Sequence, residues 1–172
     1  ILEFGVFKGN SLIRLLAFRE MLESQYSRKI IGFDSFDYFP KPKIDKFNDT
    51  NFIEKFNTEV KDTPYSEEEL DEVLKEKNFI NYELIKGNIF DTLGEYLDKH
   101  PQLKVSLLHI DVDVFDVSKF ILEKITPHLT HGAIILFDDY SHVPGETHAV
   151  DEFIKEHKLK IQKLNLTHSC CY

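Results

Sequence analysis

Cysteine is almost absent from this chain: Cys170 and Cys171 stand side by side near the end and cannot bridge to each other in ordinary geometry. A disulfide scaffold is therefore excluded, and the usage fits a reducing, cytoplasmic compartment. Basic excess is also lacking. With 21 Lys and Arg against 30 Asp and Glu, the net charge is −9, and no basic stripe exists to neutralise a phosphate backbone, which argues against nucleic acid as a partner. No run approaches the roughly 18 apolar residues of a membrane span, and no basic segment followed by an apolar one marks a secretory signal. Repeats, low-complexity tracts and domain boundaries are missing too, so residues 1–172 read as a single domain, with 42% hydrophobic residues to build its core. There is no initiating Met: the chain opens directly on an apolar strand, ILEF, which leads us to expect a longer protein whose N-terminal part lies outside this sequence.

What is present is organised around residues 107–140, LLHIDVDVFDVSKFILEKITPHLTHGAIILFDDY. It reads as strand, helix, strand, over Val105 to Ile110 and Ala133 to Phe137, with His131 and Gly132 turning the chain back to the sheet. Apolar runs this free of charge suit parallel strands buried on both faces. Each strand ends in acids, Asp111 with Asp113 and Asp138 with Asp139. Open α/β sheets bind ligands at the strands' carboxyl ends, and four acids converging there call for a divalent cation held by oxygen. His109, inside its strand, reads as a buried, hydrogen-bonded residue rather than a base.

Upstream, Ile1 to Phe4 forms a strand that runs through GVFKGNS into a helix capped by Asn10 or Ser11. Gly5 and Gly9 supply two of the three glycines of a dinucleotide fingerprint, so the turn either brings backbone close to a ligand or is simply tight. Glu3, within the strand end, requires a buried partner. The next strand, KIIGFD, ends in Asp34, placed to accept the hydroxyls of an adenosine ribose. Residues 40–78 form an irregular, proline-broken insertion, too long for an ordinary connection and read as a lid, with Phe47, Phe52 and Phe56 available to dock it. Within it Ser66 and Glu69 form a capping box. A strand from Tyr82 to Ile85 leads to Gly87 and Asn88, where Asn88 either meets an adenine edge or closes the turn, and Asp91 caps the following helix. Pro144 and Gly145 precede a last helix with Ala149, Val150, Phe153 and Ile154 inward, and the tail KLKIQKLNLTHSCCY reads as two short strands.

The ordered set LEFGVFKGNS, IIGFDSFDYFP, KGNIFDTL, LLHIDVDVFD, GAIILFDDY and PGETHAVDEF resembles the macrocin O-methyltransferase family, and the resemblance covers nearly the whole chain. It implies a class I methyltransferase fold: a Rossmann-like, doubly wound, mostly parallel α/β sheet with an antiparallel last strand, here with a helical lid insertion. It further implies an enzyme dependent on S-adenosylmethionine and Mg²⁺ that methylates a hydroxyl of a small-molecule acceptor, typically a deoxysugar. Carried over by residue, it places Glu3, Gly5 and Gly9 along the methionine part of the cofactor. Asp34 holds the ribose with Ser35 and Phe36 beside it, and Gly87, Asn88 and Ile89 surround the adenine. Asp111, Asp138 and Asp139 match the metal ligands, with Asp111 also facing the cofactor. Asp113 matches a proposed general base, and His148, where relatives often carry Arg, is a second base candidate or substrate contact.

Three other functions fit parts of the sequence. A catechol or phenol could replace the sugar as acceptor. A nicotinamide-dependent oxidoreductase could use the same sheet, but the acidic cluster has no role in hydride transfer. A non-catalytic relative need not keep acids at both strand tips. A homo-oligomer is compatible with the sequence, and nothing in it targets a membrane.

Overall fold

A computed structural model describes residues 1–59 and 66–163. Five strands, β1 (Leu2–Phe4), β2 (Ile30–Asp34), β3 (Tyr82–Lys86), β4 (Val105–Ile110) and β5 (Leu129–Phe137), form one sheet in the order β3-β2-β1-β4-β5. Every pairing is parallel. The helices between them are α1 (Asn10–Leu22), α2 (Asp49–Glu59), α3 (Glu67–Glu76), α4 (Ile89–Lys99), α5 (Phe115–Ile125) and α6 (Pro144–His157). Strand order runs outward from β1 to β3 and then restarts with β4 on β1's other side. That reversal opens a crevice beyond the carboxyl ends of β1 and β4.

Alternation along the strands feeds two apolar clusters. Leu2, Phe4, Ile31, Phe33, Leu108 and Ile110 pack with α4, α5 and α6. Ile30 packs with Leu12 and Leu16 of α1 and with Leu70 and Leu74 of α3. Phe4 stacks on Phe33 with ring centres 4.8 Å apart. Each such fully buried side chain contributes about 1.5–3 kcal/mol through loss of apolar contact with water.

Several local expectations are corrected. Gly9, at φ +74°, occupies the N-cap of α1 with no side-chain cap, so Asn10 is already helical. Asn88, not Asp91, caps α4, its Oδ1 accepting the Phe90 N–H at 3.0 Å. His131 and Gly132 lie inside β5 rather than before it, because a short 3-10 turn at Thr126–His128 already reverses the chain. Gly132 takes φ +76°, and the β4–β5 register slips between Val105 and Leu107, so the glycine belongs to a bulged strand. The insertion at 40–78 carries α2 and α3. All five described strands are parallel; the expected antiparallel last strand and tail hairpin fall largely on residues 164–172, outside the described residues. No described helix is long and apolar enough to cross a membrane.

Candidate active site

Sequence forces β1 and β4 together where the crevice opens. The Asp111 N–H donates to the Phe4 carbonyl at 2.9 Å, carrying the β1–β4 ladder one residue past the end of β4. Gly5 then turns away at φ +87°, and a Cβ built on it would lie 1.7 Å from the Asp111 carbonyl oxygen. Only glycine fits that backbone contact. Gly9 is constrained differently: its Cβ would strike Leu70 of α3 at 2.4 Å, so it serves helix packing and does not line the cavity.

Above the strand ends lies a cavity of about 230 Å³. Gly5, Asp34, Ser35, Gly87, Asn88 and Ile89 line one part of it, and Asp111, Val112 and Asp113 another. Asp34 is held rigidly. Its Oδ2 accepts the N–H groups of Val6 at 2.7 Å and Phe7 at 2.8 Å, and its Oδ1 accepts that of Phe36 at 2.8 Å. The acid at the tip of β2 thus fixes the turn after β1 as well as facing the cavity. Phe36 itself points away, buried with α1 and α3. Glu3 is wholly buried and does not line the cavity; its partner is an imidazole, with His109 Nδ1 3.0 Å from Oε1. Burial pulls the His109 pKa down, but the hydrogen bond and charge of Glu3 outweigh it and push the group up.

The acids gather more tightly than the strand pattern suggests. Oxygens of Asp111, Asp113 and Asp139 all lie within 4.8 Å of one another. Asp138, expected beside Asp139, lies outside that group, in the bend that follows β5. It still acts on Asp111 through its charge. Asp113 joins because the backbone folds back at φ +64°, a conformation that costs about 1–3 kcal/mol outside glycine and that clusters at functional sites. Burial raises the Asp111 carboxyl to about 7, helped by Asp138, and the Asp113 carboxyl to about 9, helped by Asp139. Carboxylates this close, half-buried and mutually repelling, are suited to sharing a cation.

Three features were not anticipated from the sequence. Glu146, in the first turn of α6, is fully buried. Its Oε1 accepts the Asp139 N–H at 3.2 Å, its own N–H donates to the Asp113 carbonyl at 3.0 Å, and burial raises its carboxyl to about 8. The signal was present, because Glu146 lies three and four residues before Ala149 and Val150 on the apolar stripe of α6. Asp49 of α2 reaches across to accept the Phe115 N–H at 3.0 Å, capping α5 immediately beyond the acids. Asp116, also buried, accepts the N–H groups of Lys43 and Ile44, tying the insertion down. Phe39, Lys41, Lys43 and Phe56 consequently line the cavity. His148 does not: it is exposed and stacked on Phe47, ring centres 4.0 Å apart.

Solved structures share this architecture. The calicheamicin methyltransferase CalS11 is 27% identical, with a TM-score of 0.79 over 99% of this chain and 70% of that one. Its apo structure, described as a TDP-rhamnose 3'-O-methyltransferase, aligns at TM-score 0.70 with 27% identity, over 99% of this chain and 69% of that one. The O-methyltransferase NovP aligns at TM-score 0.81 with 20% identity over 99% and 69% of the two chains. No match is found among curated protein sequences. The sequence model of the macrocin-O-methyltransferase (TylF) family matches residues 1–172, and the chain belongs to that family of S-adenosylmethionine-dependent O-methyltransferases.

Proposed function

We propose that this protein transfers the methyl group of S-adenosylmethionine to a hydroxyl of a sugar or sugar-bearing small molecule, with a Mg²⁺ ion at the acidic cluster. The observation that carries the reading is the single cavity that joins the Gly5–Asp34–Asn88 rim to Asp111 and Asp113 at the sheet's switch point. On this reading Gly5 allows the cofactor to approach the backbone, and Asp34 accepts from the ribose with the one lone-pair site its three amide bonds leave, the Ser35 hydroxyl 3.4 Å from Oδ1 turning to Asp37. Gly87, Asn88 and Ile89 enclose the adenine. Segment 40–78 serves as the lid, and an antiparallel strand completes the sheet as in the family resemblance.

The donor set fits a hard cation: Asp111, Asp113 and Asp139 are all carboxylate, clustered and half-buried, and the buried Glu146 carboxylate is hydrogen-bonded to the Asp139 backbone beside them. Asp111 and Asp139 would hold Mg²⁺, with Asp113 or Asp138 as the third carboxylate. When bound, the ion lowers the pKa of the acceptor hydroxyl and orients it. The protein's own part is to align donor and acceptor for an in-line displacement, which needs little covalent help, and to receive the proton. Asp113, on the cavity wall beside Asp111 and Asp139, is the acceptor of that proton in this scheme where Asp138 is the third carboxylate, and a bound cation would hold it ionised against the burial that raises it.

A phenolic acceptor is the second reading, favoured by Phe7, Phe39 and Phe56 on the cavity wall, while Lys41 and Lys43 beside them favour polar or charged substituents. Labelled S-adenosylmethionine offered with TDP-deoxysugars and with catechols separates the two. Labelled sugar products support the first reading; methylated catechols alone overturn it in favour of the second.

A further inference from the structure

A fourth carboxylate, Glu146 on α6, stands behind the acidic cluster, hydrogen-bonded to the Asp139 backbone and acting by its charge on Asp111, Asp113 and Asp139. Glu146 is 0% exposed, and apart from the Val112 N–H, which lies near the carboxylate, Oε2 has no hydrogen-bond partner among the described residues. Leaving a buried carboxylate oxygen unpaired costs free energy unless something else approaches it. The residue is locked in place from both sides. Oε1 accepts from the Asp139 backbone, the Glu146 N–H donates to the Asp113 carbonyl, and Gly145 packs so closely that a Cβ there would lie 2.9 Å from that same carbonyl. The α6 N-terminus therefore bridges the two strand-end loops that carry Asp113 and Asp139.

Resting on the reading that this cluster holds a divalent ion, we infer that Glu146 is a positioning residue of the ion site: Oε1 fixes the backbone of Asp139, and the unpaired Oε2 adds negative charge that tightens cation binding. Glu146 does not touch the reacting atoms in this scheme. A residue in that position makes the chain's affinity for a cation depend on α6 as well as on the strand tips.

Glu146→Gln isolates the second part, because the amide oxygen can still accept from Asp139 while the charge is lost. Mn²⁺ binding to the full-length protein, read as free Mn²⁺ by electron paramagnetic resonance, is expected to weaken by about 10- to 100-fold, the range for residues that support ligands. The Tm of metal-free Glu146→Gln is expected to equal or exceed that of wild type, since the amide keeps the hydrogen bond to Asp139 and replaces a buried carboxyl set among other acids. Wild-type Mn²⁺ affinity in a folded Glu146→Gln variant overturns the inference while leaving the ion site intact. Failure of the wild type itself to bind Mn²⁺ overturns the ion-site reading instead. Should Glu146→Gln not fold, Glu146→Asp, with its shortened reach, is expected to bind Mn²⁺ more weakly than wild type, and equal affinity overturns the inference.

Discussion

Replacing Gly5 by alanine tests whether the β1 and β4 tips are built as one unit. At φ +87° an alanine pays for left-handed backbone, about 1–2 kcal/mol. A second effect is steric. A Cβ 1.7 Å from the Asp111 carbonyl oxygen must be relieved by moving backbone, since no flexible side chain stands there to give way. Restoring ordinary contact displaces Asp111 by more than about 1 Å and breaks the hydrogen bond from its N–H to Phe4, a further ~1 kcal/mol. A total of about 2–3 kcal/mol corresponds to a fall in Tm of roughly 4–12 °C for a protein of this size. The same displacement moves a carboxylate of the acidic cluster, so Mn²⁺ affinity should fall together with Tm. Gly94→Ala is the control. Gly94 lies within α4, and a Cβ there meets nothing within 4 Å. It should stabilise by about 0.5–1 kcal/mol. Thermal unfolding followed by circular dichroism, with metal titration on the same samples, reads both. A Gly5→Ala variant with wild-type Tm and metal affinity would refute the argument.

Three other outcomes follow from the geometry. Asp34→Ala leaves the N–H groups of Val6, Phe7 and Phe36 without their acceptor; calorimetric binding of S-adenosylhomocysteine should weaken by at least about tenfold, and Tm should drop by several degrees. Asp111, Asp113 and Glu146 carry folded-state pKa values of about 7, 9 and 8, above their unfolded values near 4. The folded state therefore binds more protons across that interval, and the metal-free protein loses stability as pH rises from about 5 to 9. In EDTA its Tm should be higher at pH 5.5 than at pH 8.5, and Mg²⁺ should stabilise most at the alkaline end; an EDTA curve that rises with pH would contradict this. Asp116→Ala removes the acceptor for Lys43 and Ile44, so hydrogen exchange should accelerate across 43–59 and leave the amides of β1 and β4 unchanged.

Strands were legible in the sequence wherever burial makes the apolar run continuous. The reading of Val105 to Ile110 coincides with β4, and those of β2 and β3 differ by a residue at one end. β5 was read short because Gly132 looks like a turn; only tertiary pairing shows that its positive φ serves a bulge. The acids at the strand tips were visible, but their grouping was not. Sequence spacing treats Asp138 and Asp139 alike, whereas the bend after β5 separates them and the backbone turn at Asp113 brings that residue in. Asn88 offered two roles, and in the structure it both caps α4 and lines the cavity. Contacts that span the chain left no local trace: Asp49 capping α5, Asp116 tying down Lys43, and Phe47 drawing His148 to the outside.

The central claim is that one cavity presents a sulfonium cofactor to a hydroxyl held at a metal-loaded acidic cluster. It is tested most directly by incubating the full-length protein with methyl-labelled S-adenosylmethionine and a panel of TDP-deoxysugars, with Mg²⁺ and with EDTA. The account predicts label on a sugar hydroxyl with Mg²⁺, loss of transfer in EDTA and recovery when Mg²⁺ is returned. Transfer that proceeds equally well in EDTA would contradict it.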